Sequence, residues 1–339
     1  MRARPGSVTI RDVARRAGVS IATVSRYINQ NAPFSAKVVA RLKAIMAELD
    51  YVPHATARSL ATHTTHMIGL ALAAISGDFF TPLLAGVEAV TRENGYDLLI
   101  SSTGPVHGRD HPNAPVGPHN SDGLLVFSNS LDAAALGRLA ADGFPVVLIH
   151  QSSPRGLDIP CVTVENTSAV FQIVSHLIEA HGRRRIALLR GPAGHEDSQL
   201  REEGYRQALE SHGIPIDPAL ISAGGFSQDV ARDSIERLIA MGVSFDAVFS
   251  GDDIGAAGTL AGLQTAGLRV PQDVSVVGFD DQRLAAFMAP PLSTVHAPTE
   301  SVGRTAAEVL LTLIRTGTAE PVTRLPTRIV LRRSCGCGG

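Results

Sequence analysis

The sequence is poor in cysteine, in aromatic residues and in long apolar runs. Its three cysteines, Cys161, Cys335 and Cys337, are too few for a disulfide framework, which predicts a reduced, cytoplasmic protein. No apolar run reaches the roughly 18 residues that a membrane span requires, and no apolar stretch follows the basic N-terminus, so we expect no membrane span and no secretory signal. Apolar residues still form 44% of 339 residues, which predicts two or three domains with sizeable cores.

The positive charge is concentrated at the N-terminal end. Residues 1–66 contain ten lysines and arginines against three acidic residues, a net charge of +7, whereas residues 67–339 contain 20 basic and 29 acidic residues, a net charge of −9. A basic head on an acidic body indicates that only the head meets a polyanion. Charge alone leaves open a solvated basic face without a partner, so the pattern inside the head has to decide.

The head contains three capped helical segments. Thr9 and Asp12 have the spacing of a capping box, and Gly18 is a typical residue to end the first helix. Ser20 caps a second helix, and a third begins near Ser35. Three residues between two short helices is the spacing of a helix-turn-helix. The sequence therefore predicts a DNA-binding head whose second helix enters the major groove.

Each side-chain type on this helix predicts a different contact with DNA. Ile21 and Ala22 are apolar, so they would contact thymine methyl groups or sterically select a base step. Arg26, one turn later, is the candidate for binding guanine O6 and N7, with a phosphate contact as the alternative. The hydroxyl and amide side chains are predicted to bind phosphates and fix the register: Thr9, Ser20, Thr23, Ser25 and Asn29.

From Met67 onwards, apolar strand patterns alternate with helical patterns. Continuous apolar strands separated by helices predict parallel sheets covered on both faces. About ten such strands are many for one sheet, which favours two lobes with a cleft between them. The predicted fold class is an all-α helix-turn-helix head plus a two-lobed, doubly wound α/β body with two parallel sheets. The predicted domains are residues 1–53, a hinge helix and linker at 54–66, and residues 67–339.

The body carries no recognisable catalytic motif. It has no phosphate loop, HExxH, GxSxG or strand-linked GxGxxG, so we expect no enzyme, no catalytic residue and no cofactor. Ligands of open α/β sheets bind beyond the carboxyl ends of the strands. That rule selects one cleft-facing set: Phe79, Phe80, His150, Gln151, the loop at 191–201, Asp252, Asp253 and Asp280.

Both parts of the chain resemble the LacI/GalR family of bacterial transcription regulators. The head and hinge motifs are VTIRDVARRAGVSIATVSRYIN, SAKVVARLKAIMAELDYVP and ATARSLAT, within residues 8–62. The body motifs are HGRRRIALLRGP, REEGYRQAL, FSGDDIGAAG, RVPQDVSVVGFDD and PPLSTVHAP, and the resemblance covers residues 67–334. It implies a sensor body similar to periplasmic sugar-binding proteins. The whole would be a homodimeric regulator, most simply a repressor of carbohydrate-metabolism genes, on a palindromic double-stranded DNA operator.

The resemblance also implies a hinge helix over residues 54–61. Eight residues are too few for an isolated helix in water, so the segment would fold only when it docks on DNA, with an ordinary linker turn as the alternative. In the family, paired hinge helices enter the minor groove. Leu60 matches the leucine that kinks the duplex, Ala57 would allow close approach, and Arg58 would attract phosphate.

For the body, the resemblance implies a set of effector contacts. Phe80 and Phe226 match aromatic residues that sandwich the effector, and Arg201 and Asp280 match its polar contacts. The remaining positions that complete the site are His150, His195, Asp197 and Asp252, with Phe79 added by the strand-end rule. A surface ion pair for Arg201 and core packing for Phe226 are the structural alternatives. Phenylalanine faces with aspartate and arginine suit a neutral sugar or polyol, as inducer or corepressor.

Two segments depart from the family pattern. Residues 104–122 contain four prolines and three glycines, which predicts an irregular loop, and its three histidines, His107, His111 and His119, have no rigid scaffold for a metal. Cys335 and Cys337 lie in a tail that we expect to be frayed. Cys-x-Cys is awkward for a disulfide and has no second ligand pair for zinc, although a redox or metal contact stays open.

Two other classes share such a body. A sugar-binding transport protein would need an export signal and would lack the helix-turn-helix, and a carbohydrate-active enzyme would need a nucleophile or an acid–base pair. The sequence has the helix-turn-helix pattern and no recognisable export signal, and no motif in it supplies a nucleophile or an acid–base pair. The chain also lacks the leucine heptads that would make a tetramer, so a dimer is expected.

Overall fold

The structure is a computed structural model of the chain, and it describes residues 8–28, 33–51, 64–73, 77–102 and 116–338. The head contains helices α1 (Ile10–Ala17), α2 (Ile21–Ile28) and α3 (Ala36–Glu48). The predicted caps are confirmed: the Asp12 carboxylate accepts the Thr9 backbone N–H at 3.0 Å, and Ser20 Oγ accepts the backbone N–H of Thr23 at 3.1 Å. Gly18 ends α1 with a φ of 62°. The three helices enclose a small core of Val13, Ala14, Ala17, Val24, Leu42 and Ile45.

The body alternates strands and helices along most of its length. In chain order its elements are β1 (Met67–Leu72), α4 (Phe80–Glu93), β2 (Asp97–Ser102), β3 (Gly123–Phe127), α5 (Ala133–Ala141), β4 (Val146–Ile149), β5 (Cys161–Val164), α6 (Thr167–His181), β6 (Ile186–Arg190), α7 (Glu196–Ser211), β7 (Ile221–Ala223), α8 (Gln228–Ala240), β8 (Ala247–Ser250), α9 (Asp253–Thr265), β9 (Ser275–Val277), β10 (Thr294–His296), α10 (Thr299–Thr316), β11 (Val322–Leu325) and β12 (Arg328–Val330). Three short 3-10 helices cover Pro218–Leu220, Arg283–Phe287 and Arg333–Cys335.

These strands form two parallel sheets, one in each lobe. The sheet of lobe 1 has the order β11-β5-β4-β3-β1-β2, and the sheet of lobe 2 has the order β7-β6-β8-β9. A short antiparallel pair, β10 with β12, is a separate third sheet. Strands β3, β4 and β5 are buried along their whole length, as expected for strands with helices on both faces. The predicted fold class is confirmed.

Small residues let the helices of lobe 1 approach each other closely. Helices α4 and α10 pack together, and a Cβ added at Gly86 would lie 2.1 Å from the carbonyl oxygen of Glu300. A Cβ at Gly303 would lie 2.2 Å from the carbonyl oxygen of Leu83. Because α10 precedes β11, the C-terminal part of the chain returns to lobe 1 and supplies the edge strand of its sheet.

The C-terminal tail is packed against lobe 2, so the prediction of a frayed tail is wrong. Ser334 and Cys335 are fully buried. The Ser275 hydroxyl donates to the carbonyl oxygen of Cys335 at 2.8 Å, and the Ser334 hydroxyl donates to the carbonyl oxygen of Val276 at 2.6 Å. These hydrogen bonds fix the tail along β9, because each satisfies a polar group that burial would otherwise leave unpaired.

Several predicted features lie outside the described residues. They are the hinge at 54–61 with Ala57, Arg58 and Leu60, the end of the second helix at Asn29, and the histidines His107 and His111. Within the predicted irregular loop, residues 116–122 form turns, with Val116 buried in lobe 1 and His119 exposed. Among the helices that the structure describes, none is both long and apolar enough to cross a membrane.

Candidate functional sites

A cavity of about 390 Å³ lies between the lobes, beyond the carboxyl ends of their strands. All nine residues predicted to contact an effector line this cavity: Phe79, Phe80, His150, His195, Asp197, Arg201, Phe226, Asp252 and Asp280. Two other residues chosen by the strand-end rule do not line it. Gln151 accepts the backbone N–H of Asn129 at 2.9 Å, and Asp253 accepts the Thr294 hydroxyl at 2.6 Å.

Aromatic rings form opposite walls of the cavity. In lobe 1, Phe79, Phe80 and Phe127 pack edge to face with ring centroids 5.2–5.9 Å apart. In lobe 2, the Phe226 ring packs on His195 at a centroid distance of 5.2 Å. Phe127 was missed by the sequence analysis, although it ends the strand GLLVF and the strand-end rule would have selected it. Gln282, which also lines the cavity, follows Asp280 in a loop without a motif.

The position of Phe226 depends on a glycine in the neighbouring loop. A Cβ added at Gly191, directly after β6, would lie 2.3 Å from Phe226 Cζ, far inside the 3.5–4.0 Å of an ordinary carbon contact. Phe226 is half-buried and lines the cavity, so its ring faces the cavity and is not a purely core residue.

Arg201, on α7, joins the polar groups of lobe 2. Its Nε donates to Asn166 Oδ1 at 2.9 Å, and its Nη1 donates to the carbonyl oxygen of Gly251 at 2.5 Å. Its Nη2 lies 3.5 Å from Asp280 Oδ1 and 3.8 Å from Asp197 Oδ2. The guanidinium carbon lies 3.6 Å from the centroid of the Phe279 ring, a cation–π contact. Because the side chain is 6% exposed, the alternative of a surface ion pair is excluded.

Three buried carboxyl groups face this single guanidinium, and their environments differ. Burial and the neighbouring charge of Asp280 raise the pKa of Asp252 to about 7. Burial also raises the pKa of Asp280, although Arg201 opposes that effect. Burial acts to raise the pKa of Asp197 too, but His150 and Arg201 outweigh it and hold that pKa below its usual value. The cavity therefore contains carboxyl groups of different proton affinity within one network.

The ring of His195 is held neutral by its surroundings. Burial lowers its pKa to about 4, despite the favourable charge of Asp197. His150 Nδ1 lies 2.8 Å from Asp197 Oδ2, although the N–H is not aligned for a hydrogen bond. Besides His150 Nδ1, which faces Asp197, three cavity atoms have no hydrogen-bond partner among the described residues, namely His150 Nε2, His195 Nδ1 and Gln282 Oε1. Buried polar atoms are usually paired, so these three can serve a ligand.

The backbone is strained at three of the cavity residues. His150, Phe226 and Asp280 have φ values of 57°, 53° and 104°, in the left-handed region that non-glycine residues seldom occupy. Such strain persists only where the surrounding structure holds it, and it is concentrated at ligand sites. It supports a role for these residues in the cavity beyond packing.

The exposed side of α2 presents the residues predicted to read DNA. Ile21 is 45% exposed, and Ala22 and Arg26 are exposed beside it, whereas Val24 faces the core. Two of the hydroxyls expected to bind phosphate already make hydrogen bonds at the starts of α1 and α2. Thr9 Oγ1 donates to Asp12 Oδ2 at 2.6 Å, and Ser20 Oγ lies 2.9 Å from Thr23 Oγ1. Thr23 and Ser25 are half-buried.

A helix-turn-helix head followed by a two-lobed body with a cavity between its lobes defines a class of protein: DNA-binding transcription regulators with a ligand-sensing body. Comparisons with known proteins agree. Residues 9–54 match the model of the bacterial regulatory proteins of the lacI family, and residues 174–335 match the periplasmic binding protein-like domain. The ribose operon repressor of Escherichia coli (strain K12) is 33% identical over 327 residues, which cover 96% of this chain and 98% of the repressor.

Solved structures show the same similarity in three dimensions. The Lac repressor dimer bound to operator and the anti-inducer ONPF superposes with a TM-score of 0.84 at 28% identity, covering 97% of this chain and 99% of that one. The transcriptional regulator CelR in complex with cellobiose has a TM-score of 0.70 at 30% identity, covering 96% and 99%. The chain belongs to the LacI family of bacterial transcription regulators.

Proposed function

We propose that this protein is a homodimeric repressor of carbohydrate-metabolism genes, controlled by a neutral sugar or polyol bound in the cavity between its lobes. The observation that carries the proposal is the lining of that cavity. It combines phenylalanine faces from both lobes with a buried arginine, buried carboxyl groups and unpaired polar atoms. The names of two relatives, the ribose operon repressor and the CelR–cellobiose complex, support a sugar.

The charges of the cavity favour a neutral ligand. Asp197, Asp252 and Asp280 surround Arg201, so a ligand with several negative charges would meet more carboxyl groups than guanidinium groups. Carboxylates accept hydrogen bonds from hydroxyl groups, and Arg201 donates to fixed oxygen atoms. The Phe80 and Phe226 rings, one from each lobe, cover the apolar faces of a sugar ring.

On DNA, α2 of each protomer enters the major groove of one half-site of a palindromic operator. Arg26 binds a guanine, and Ile21 and Ala22 contact thymine methyl groups or select a base step. The phosphate contacts come from Thr9, Ser20, Thr23, Ser25 and Asn29. At the operator centre, the hinge helices pair, with Leu60 in the minor groove beside Ala57 and Arg58. The proposed domains are the DNA-binding head at residues 1–53, the hinge helix and linker at 54–66, and the effector-binding and dimerisation body at 67–339.

Effector binding changes the relative position of the lobes, because both lobes contribute to one ligand site. A ligand that binds one arrangement more tightly shifts the population towards it. The hinges attach to lobe 1 just before β1, so the shift alters the separation of the two hinges in the dimer and their ability to pair. The protein works in the cytoplasm, where its operator is, and has no enzymatic role.

The test begins with a thermal-shift panel of neutral sugars and polyols, followed by calorimetry of each compound that stabilises the protein. Asp280→Asn removes a cavity carboxylate and should weaken binding at least tenfold, about 1.4 kcal/mol. Asp229→Asn, at a side chain that is 83% exposed on lobe 2, is the matched control and should bind like the parent. If no sugar or polyol binds, or if both variants bind equally, the proposed effector class is wrong.

A further inference from the structure

Four potential metal ligands meet where the C-terminal tail reaches lobe 2. His176 and His181 are on α6, and Cys335 and Cys337 are in the tail; one ligand atom from each lies within 4.8 Å of the others. The two histidine Nε2 atoms are 3.2 Å apart. Cys337 Sγ lies 3.3 Å from His176 Nε2 and 3.5 Å from His181 Nε2, and Cys335 Sγ lies 4.0 Å from His176 Nε2.

Four of the six separations between these ligand atoms are close to those of a tetrahedral zinc site, and all six are within 4.8 Å. Zinc at about 2.0–2.1 Å from nitrogen and about 2.3 Å from sulfur holds tetrahedral ligand atoms about 3.3–3.8 Å apart. The four observed distances of 3.2–4.0 Å bracket that range. Two thiolates and two imidazoles are also a closed ligand set that zinc prefers in structural sites. The sequence analysis found no second ligand pair, because both histidines are more than 150 residues away in the chain.

The backbone conformation of the tail places the two cysteines beside the two histidines. Gly336, between the two cysteines, has a φ of 112°, a conformation that favours glycine. A Cβ at this position would lie 3.0 Å from His181 Nδ1, so a side chain here would press against the imidazole. The hydrogen bonds from Ser275 and Ser334 hold the other side of the tail on β9. The four ligands are thus positioned by two separate elements, α6 and β9.

We infer that Cys335 and Cys337 bind one zinc ion together with His176 and His181, as a structural site that fastens the C-terminal tail to α6. Binding releases the two thiol protons to solvent and forms two zinc–sulfur and two zinc–nitrogen bonds. The site is distinct from the effector cavity. Asn166, which precedes the first turn of α6, contacts Arg201, whereas His181 ends the helix, about 22 Å away at 1.5 Å per residue.

Cobalt(II) titration of the full-length, reduced and chelator-stripped protein tests this inference. The expected result is one cobalt ion per chain, with thiolate-to-cobalt charge-transfer bands, visible bands of tetrahedral cobalt, and loss of both on adding zinc. Cys337→Ser and His181→Gln should each weaken binding at least about 100-fold, because loss of an outer-shell partner alone costs 10–100-fold. Cys161→Ser, in β5 of lobe 1, and His119→Gln keep the four ligands and should bind like the parent.

A second measurement separates metal binding from general folding defects. Zinc should raise the melting temperature of the parent and of both control variants, but not that of Cys337→Ser, because a ligand that binds only the native state stabilises it. Cys337 is partly exposed, so serine there leaves the buried packing of Cys335 intact. Absence of thiolate bands in the parent, or bands that persist in Cys337→Ser, would each overturn the inference.

Discussion

Asp252 lowers the stability of the native protein at neutral pH, and replacing it should reveal by how much. Its pKa is raised to about 7 from 3.8, first by burial and then by Asp280. The native state therefore keeps a proton that the unfolded chain has lost, and the contribution of Asp252 to stability falls as pH rises from about 4 to about 7. At 1.36 kcal/mol for each pKa unit, the loss amounts to about 4 kcal/mol.

His195 has the opposite effect over nearly the same pH range. Burial lowers its pKa from 6.5 to about 4, so the unfolded chain binds a proton that the native state does not. Its contribution to stability therefore rises as pH increases from about 4 to about 6.5, by about 3 kcal/mol. In the parent protein the two effects largely cancel, and single substitutions separate them.

Asp252→Asn should be more stable than the parent above pH 7, by up to about 4 kcal/mol, and close to it near pH 4. The Asp252 side chain caps α9 by accepting the Gly255 N–H at 2.8 Å, and asparagine caps a helix equally well. The assay is urea unfolding followed by circular dichroism at a series of pH values between these limits. A stability difference that does not change with pH, or a variant less stable than the parent at neutral pH, would refute the reasoning.

Asp273→Asn is the matched control, because the pKa of this partly exposed carboxyl is lowered, first by its hydrogen bond with Arg269. Its favourable contribution is present above the unfolded pKa of 3.8 and is lost as pH falls through the native value. Its replacement should therefore produce no gain in stability at neutral pH. A gain as large as that of Asp252→Asn would show that removing any negative charge is sufficient.

Three further substitutions test other parts of the account. Arg26→Ala should weaken specific DNA binding by about 1–3 kcal/mol. Fluorescence anisotropy measures the affinity for selected and for scrambled DNA. If the variant loses equal affinity for the two DNAs, Arg26 contacts a phosphate and does not read a guanine. Gly191→Ala should displace the Phe226 ring and weaken effector binding about tenfold. Gly137→Ala is the control and should bind the effector like the parent, because a Cβ at Gly137 would have no atom within 4 Å. Calorimetry with the effector distinguishes the two variants. Arg201→Met should destabilise the body by about 3–5 kcal/mol, because it leaves buried carboxyl groups uncompensated; a urea midpoint like that of the parent would contradict this.

The pattern of the sequence was sufficient to predict most of the fold. Thr9, Ser20 and Ser35 mark the helix starts of the head, and each caps its helix as expected. The continuous apolar runs of the body form parallel strands, because strands covered on both faces have no polar side. The short strands β7, β10, β11 and β12 were not predicted. Strand β11 alternates exposed and half-buried residues at the edge of its sheet, so its sequence, VTRL, has no apolar run.

The composition of the cavity was predictable for a different reason. The carboxyl ends of both parallel sheets face the cavity, so His150, after β4 of lobe 1, and Asp280, after β9 of lobe 2, line it together despite 129 intervening residues. The family resemblance selected the remaining residues. The tail was not predictable in this way. Its burial depends on the hydroxyls of Ser275 and Ser334 and on β9, and the meeting of Cys337 with His176 depends on how α6 packs. No local pattern encodes such a contact.

The most direct test of the account is whether one ligand, bound in the cavity, controls DNA binding by the head. Operator DNA is selected from a random pool with the parent protein, and anisotropy follows the complex as each stabilising sugar is added. The account predicts that one sugar changes operator affinity for the parent, by release or by tightening, and leaves Asp280→Asn unaffected at the same concentration. A sugar that fills the cavity without changing operator affinity, or one that acts equally on Asp280→Asn, would contradict it.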